Sequence, residues 1–277
     1  MNMLSCCKRV SLMWVALGIL GLGKLPAQVL LIHFGQSTTP ALGSSQSIVE
    51  AGVTYSSSNV TTDPSNYWNN VLATGQGFLA AGTTNTTQFT STETVSNLVT
   101  TTGTATGVNI AMGGSYYSGH FNASGVTSGG PYIGNATSSS IVGDVNDTPV
   151  ITISGLNPSL TYNFTVYASR GLSLSDVRTA DYAFVGATSG TGVLDAANNT
   201  SNTALVSGIA PNASGVITLT ITPDATNTNA TSPGKLFYLG DLQIQAVPEP
   251  ASVGLVACGG LVLLGVVMRR KIMAVRS

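Results

Sequence analysis

The sequence predicts an all-β protein: a single antiparallel β-sandwich flanked by an N-terminal signal peptide and a C-terminal transmembrane helix. Three observations lead there. Apolar and polar residues alternate with a period of two in several short stretches, the mark of half-buried antiparallel strands. Gly, Pro, Asn and Asp punctuate those stretches, as in "SGLNPSL" and "APNASG". An apolar run stands near each end of the chain, with basic residues beside it.

In chain order, residues 1–28 have the three parts of a secretory signal. Lys8 and Arg9 supply the positive region, Val10 to Gly23 the apolar one, and Ala27 is a small residue where a peptidase can cut. The apolar run is about 14 residues, short of the ~20 that cross a bilayer. Cleavage near Ala27 or Gln28 is therefore expected, rather than an uncleaved membrane helix.

Residues 29–246 form the body, long enough for one large β domain or two small ones. Three basic residues (Arg170, Arg178 and Lys235) face ten acidic ones there, a formal charge of −7. That balance argues against nucleic acid as a partner, because phosphate binding needs clustered Lys and Arg. The three cysteines, Cys6, Cys7 and Cys258, all lie outside the body, so its core has to hold it without disulfides. Low charge with abundant Ser, Thr and Asn is also the composition of disordered chains. The regular return of Val, Ile, Leu, Phe and Tyr argues for a fold instead.

The strongest strand is "TYNFTVYAS", with Tyr162, Phe164, Val166 and Ala168 on one face and Thr161, Asn163, Thr165 and Tyr167 on the other. "GVITLTIT" sets Ile217, Leu219 and Ile221 against Thr218, Thr220 and Thr222 in the same way. Shorter strands are expected at "VLLIHF", "VNIAMG", "PVITIS", "DYAFVGA", "TALVSG" and "DLQIQ". Eight to ten such strands with turns between them suit a β-sandwich. Only "PSNYWNNVLATG" carries a helical period. Residues 37–106 are the least patterned and read as long loops over the sandwich or as partly mobile structure.

Ala251 to Met268 is an apolar run of 18 residues, followed by Arg269, Arg270 and Lys271. It is just long enough to span a bilayer, with the basic cluster on the cytoplasmic side. Val247, Pro248, Glu249 and Pro250 precede it, and the prolines stop a helix from extending out of the membrane. This order of motif, apolar helix and basic end resembles the PEP-CTERM sorting signal of exported bacterial proteins. The resemblance covers residues 247–277 and implies an exosortase-type processing enzyme as partner. It further implies transient anchoring in the inner membrane through helix 251–268, then a place at the cell surface or in the extracellular matrix. The plainer alternative is an ordinary C-terminal membrane helix behind a Pro-rich spacer.

In the body, "VLLIHFGQ", "YWNNV", "SGLNPSLTYNFTVYASR", "RTADYAFVGA" and "YLGDLQIQ" are similar to exported PEP-CTERM proteins whose domains resemble galactose-binding-type jelly rolls. The resemblance implies that the sandwich is jelly-roll-like. "GLNPSLTY" also resembles fibronectin type III domains, in which a Tyr hydroxyl bonds back to the corner backbone.

Chemistry is sparsely signalled. "FGQS" resembles the nucleophile block of SGNH-type esterases, but Gln36 stands where Asp is expected. The chain's two histidines, His33 and His120, leave no late base for Ser37, so a turn serine is the better account. A zinc site is not supported by two distant histidines, and the body has no cysteine for thiol chemistry. No catalytic residue is assigned, and no cofactor is expected beyond calcium at Asp144, Asn146 and Asp147. Those oxygen ligands in "GDVNDT" suit that ion, with a plain Asx-rich turn as the commoner meaning. Trp68 in "YWNN" and Tyr116, Tyr117 and His120 in "SYYSGHFNASG" are candidate glycan contacts, since aromatic faces beside amides suit sugar rings. For Trp68 the competing account is an anchor at the edge of the core. Arg170 and Arg178, with Asp176 and Asp181 beside them, read as an ion-pair network bracing a loop. The functional expectation is a non-enzymatic exported surface or matrix protein with weak affinity for exopolysaccharide or another glycan. The alternative is a secreted carbohydrate or ester hydrolase working through carboxylates.

Overall fold

Alternation of burial decides which stretches become strands. In Thr161–Tyr167 and Ile217–Pro223 every second side chain is buried, as the sequence pattern requires. The computed structural model describes residues 28–36, 42–43, 61–62, 66–73, 93–115, 131–132, 140–171, 174–230 and 234–247. Most of the signal segment, the apolar run 251–268, Pro248 to Pro250, Arg269 to Lys271, Ser37, Tyr116, Tyr117 and His120 lie outside the described residues.

Among the described residues fifteen strands follow in chain order. They are β1 Val29–Gln36, β2 Leu42–Gly43, β3 Thr61–Thr62, β4 Asn69–Ala73 and β5 Glu93–Val95. Next come β6 Asn109–Ser115, β7 Ile141–Gly143, β8 Thr148–Ser154, β9 Thr161–Tyr167 and β10 Thr179–Val185. The last five are β11 Ser189–Asp195, β12 Ala204–Ile209, β13 Ile217–Pro223, β14 Phe237–Leu239 and β15 Asp241–Val247. No helix forms among the described residues, so the described part of the protein is all-β.

A five-stranded sheet runs β12-β9-β15-β1-β4 and a six-stranded sheet β11-β10-β13-β8-β6-β5. Their neighbours are antiparallel except β1 and β4, which pair in parallel with Phe34 opposite Val71. The purely antiparallel expectation is corrected there. A parallel pair needs a long crossover, and residues 37–68 supply it. The helical period at "PSNYWNNVLATG" is corrected too, because Asn69–Ala73 is strand β4. The Asn69 amide donates to the carbonyls of Leu31 at 3.1 Å and Val99 at 2.8 Å, and its oxygen accepts the Val99 N–H at 2.8 Å. These bonds and the pairing to β1 outweigh a weak local preference.

One apolar cluster draws on both large sheets. Ile32, Phe34, Phe164, Val166, Leu242 and Ile244 come from the first; Ile110, Ile151, Tyr182, Phe184, Leu219 and Ile221 come from the second. Phe164 and Phe184 stack across it with centroids 4.2 Å apart. Each such side chain contributes about 1.5–3 kcal/mol by leaving water. The turn between β8 and β9 is closed by Tyr162, whose hydroxyl accepts the Asn157 N–H at 2.8 Å. Short strands β7 and β14 are buried at every position and pair with each other. Gly143 makes that pairing possible, since a Cβ there would lie 2.1 Å from the Phe237 ring.

Candidate functional site

The five-stranded sheet buries Leu30, Ile32, Phe34, Phe164, Val166, Leu242 and Ile244 in the core, so the intervening residues face the other way. Register places them in three rows across β1, β15 and β9. The first is Val29, Gln245 and Asn163; the second is Leu31, Gln243 and Thr165; the third is His33, Asp241 and Tyr167. Gln243, Gln245, Asn163 and Thr165 are half-buried, so this part of the face offers amides and a hydroxyl. The third row is closed: His33, Asp241 and Tyr167 are each 0 % exposed.

Within the closed row, His33 Nδ1 lies 2.9 Å from Asp241 Oδ1, joining residues 208 positions apart in sequence. Burial pushes the Asp241 carboxyl up to about 6, against the opposing pull of the His33 ring. Among the described residues no donor reaches Asp241 Oδ2. The pair is shielded from solvent on all sides.

Tyr132 covers this end of the face. Its ring meets Trp68 edge-on at 5.4 Å and Tyr167 edge-on at 6.2 Å, and its hydroxyl reaches toward Gln243 Oε1 at 3.5 Å. Burial, then the Asp241 carboxylate, push the Tyr132 phenol well above its ordinary range. Trp68 is 1 % exposed and packs with Leu31, Val29 and Tyr132 in an apolar cluster separate from the main core. Its ring is therefore an anchor beneath Tyr132, and Tyr132 is the aromatic beside the amide rows. Neither Tyr132 nor the His33–Asp241 pair was read from the sequence. Alternation along "VLLIHF" and "DLQIQ" does set His33 and Asp241 off the core faces, but only the pairing of β1 with β15 brings them together.

The other sequence candidates sit apart from this face. In the turn after β7, Asp144 Oδ1 accepts the Asn146 N–H at 2.6 Å and Asp147 Oδ2 accepts the Asp144 N–H at 2.9 Å. Both carboxylates are buried while Asn146 is exposed; one oxygen of each is bonded to the turn's own backbone, and Asp144 Oδ2 and Asp147 Oδ1 are buried without a hydrogen bond. Among the described residues no group of three or more His, Cys, Asp or Glu side chains is arranged to hold a metal ion. Arg178 clasps Asp176, with Nε at 3.1 Å and Nη2 at 3.0 Å from Oδ2, and also donates to the Tyr238 hydroxyl. Asn229 donates to the same Asp176 oxygen. Asp181 is turned elsewhere: burial and then Asp224 raise its carboxyl. Val247 closes β15 opposite Thr161. Among the described residues no helix is long and apolar enough to cross a membrane.

Among the described residues, fold and site together define an all-β body with a half-buried amide face on its five-stranded sheet beside an enclosed His–Asp pair. No protein-family model matches the chain, and a search of curated proteins returns no match either.

Proposed function

We propose that this is a non-enzymatic exported protein of the cell surface or extracellular matrix, with weak affinity for exopolysaccharide or another neutral glycan. Its body is a single β-sandwich of jelly-roll type, and residues 247–277 are a sorting tail for an exosortase-type enzyme. One observation carries the binding reading: Gln243, Gln245, Asn163 and Thr165 line one sheet face beside the Tyr132 ring. Amides hydrogen-bond sugar hydroxyls in both directions, and an aromatic ring packs on the C–H face of a pyranose. The enclosure of His33–Asp241 supports a non-catalytic role, because a general base needs to reach its proton. Binding of the full chain to a panel of neutral polysaccharides tests this. Gln243→Ala with Gln245→Ala is expected to abolish retention, and a wild-type chain that binds none of the panel refutes glycan affinity.

The sorting role has its own test. Glu249→Ala is expected to leave a longer, membrane-retained form, because it alters the recognition segment and spares the apolar run. Identical intact tails by mass spectrometry, with and without the exosortase, would reduce the tail to a plain anchor.

The hydrolase alternative draws on carboxylates, and Asp181 and Asp224 are two that act on each other. Asp181 is held above the ordinary carboxyl range by burial and by Asp224, whereas Asp224 is held below it by its bonds to Thr226. Divergent pKa values on neighbouring carboxylates suit an acid and a nucleophile or base. Turnover of chromogenic glycosides or esters that disappears in Asp181→Asn would favour this reading over binding.

A further inference from the structure

The six-stranded sheet ends in β11, and the phase of its hydrogen bonds can be read from the hairpin that leads into it. Val185 lies opposite Ser189, and the Gly186 N–H donates to the Thr188 carbonyl at 2.9 Å. That bond makes Val185–Ser189 a non-hydrogen-bonded pair, so Gly190, Gly192 and Leu194 direct their backbone groups at β10. Ser189, Thr191, Val193 and Asp195 consequently direct theirs away from the sheet. Among the described residues nothing bonds to the N–H or C=O of Thr191 or Val193.

The other sheet edges are blunted. β5 has three residues. β12 breaks register between Val206 and Ile209, where Gly208 has φ +74° and gives its N–H to Asn163. Beside β4, the Asn69 amide is already engaged with Val99. β11 has seven residues in unbroken register. It carries no Lys or Pro, and its one charge is turned inward, because Asp195 Oδ1 accepts the N–H groups of Arg178 and Ala197 at 2.9 Å each. The strand is also held in place from behind. Ala187 donates to the Ala210 carbonyl at 2.8 Å, and Gly190 and Gly192 leave room for Val206 to pack against them. A long edge of this kind, with no charge directed outward, is a template for another strand.

We infer that β11 is a self-association edge, pairing antiparallel with β11 of a second copy of this chain about a two-fold axis at Gly192. The register is self-complementary. Thr191 meets Val193 of the other copy and Ser189 meets Asp195, so each outward backbone group finds a partner and no like charges oppose. Val193, 54 % exposed in the single chain, is covered by Thr191 in a β-branched cross-strand pair. The six-stranded sheets join into one of twelve. An edge contact alone buries less than the roughly 1,200 Å² of a stable interface, so the dimer forms reversibly with concentration. None of this depends on glycan binding or on the tail.

Sedimentation velocity of the full chain in detergent, over a wide concentration range, tests the inference. The wild type is expected to move from one to two copies of the 28.2 kDa chain. Thr191→Pro is expected to stay at one copy, because it removes an outward N–H and spares the β10 ladder. A second measurement covers a proline variant that fails to fold. With the native cysteines replaced by serine, Thr191→Cys and Val193→Cys chains should form a disulfide-linked dimer when mixed and much less of it alone. A wild type that stays single at every concentration overturns the inference. So does a dimer that survives Thr191→Pro, or cross-linking that ignores the pairing.

Discussion

Replacing Asp241 with asparagine is expected to stabilise the protein above pH 6 and to flatten its pH dependence. The Asp241 carboxyl ordinarily titrates at 3.8 and is raised to about 6 in the folded chain. Between those values the folded chain holds a proton that the unfolded chain has released. The stability linked to this group is therefore fully present below pH 3.8, is lost as pH rises to about 6, and stays lost above that. At roughly 1.4 kcal/mol for each tenfold change in proton affinity, the loss is on the order of 3 kcal/mol. Asparagine keeps the shape and still offers an oxygen to His33 Nδ1, now at 2.9 Å from Asp241, but it carries no charge to bury. In a domain of this size about 3 kcal/mol corresponds to roughly 6–12 °C in Tm. Thermal unfolding followed by circular dichroism from acid to mildly alkaline pH is the assay. The wild type should lose stability from acid to neutral pH relative to the variant, and the variant should unfold at the higher temperature at pH 8. An Asp241→Asn chain that is less stable than wild type there refutes the reasoning. It would mean that the His33 partnership outweighs the cost of burying the carboxylate.

Tyr162→Phe leaves the Asn157 N–H without its acceptor and should cost about 1 kcal/mol in denaturant unfolding. An unchanged midpoint would show that water replaces the hydroxyl. Gly143→Ala puts a methyl 2.1 Å from the Phe237 ring and should cost about 1–3 kcal/mol. Phe237→Leu in the same chain should recover part of that loss in a double-mutant cycle. Phe164→Ala removes one ring of the stack between the two sheets and should cost about 3–5 kcal/mol in the same assay.

Much of the fold was legible where one face of a strand is buried and the other is not. "TYNFTVY" and "ITLTIT" announce themselves because Phe164, Val166, Leu219 and Ile221 must avoid water while the threonines between them need not. β7 and β14 gave no such signal. Both are buried at every position, so their sequences lack alternation, and at three residues each they are too short to stand out. β11 was hidden for another reason. Gly190 and Gly192 occupy its inward positions, because Val206 packs where side chains would otherwise be. β4 mimicked a helix, and its strand is set by β1 and by the Asn69 amide, which local preference does not include.

By itself the sequence determined the strand class and the inward and outward assignment of side chains along the long strands; the Tyr162 corner followed from a resemblance. It also determined the charge that argues against nucleic acid and the order of apolar runs and basic residues at the two ends. The strand assignments follow from residues near one another in the chain, where spacing sets which face a side chain takes. The tertiary structure decided the rest. His33 and Asp241 are 208 positions apart, and nothing local to either predicts that β1 will lie beside β15 and close them from water. The amide rows, Tyr132 over Trp68 and the open edge of β11 likewise depend on strand order. Strand order is set by the burial of the whole core, which a single stretch of sequence does not encode.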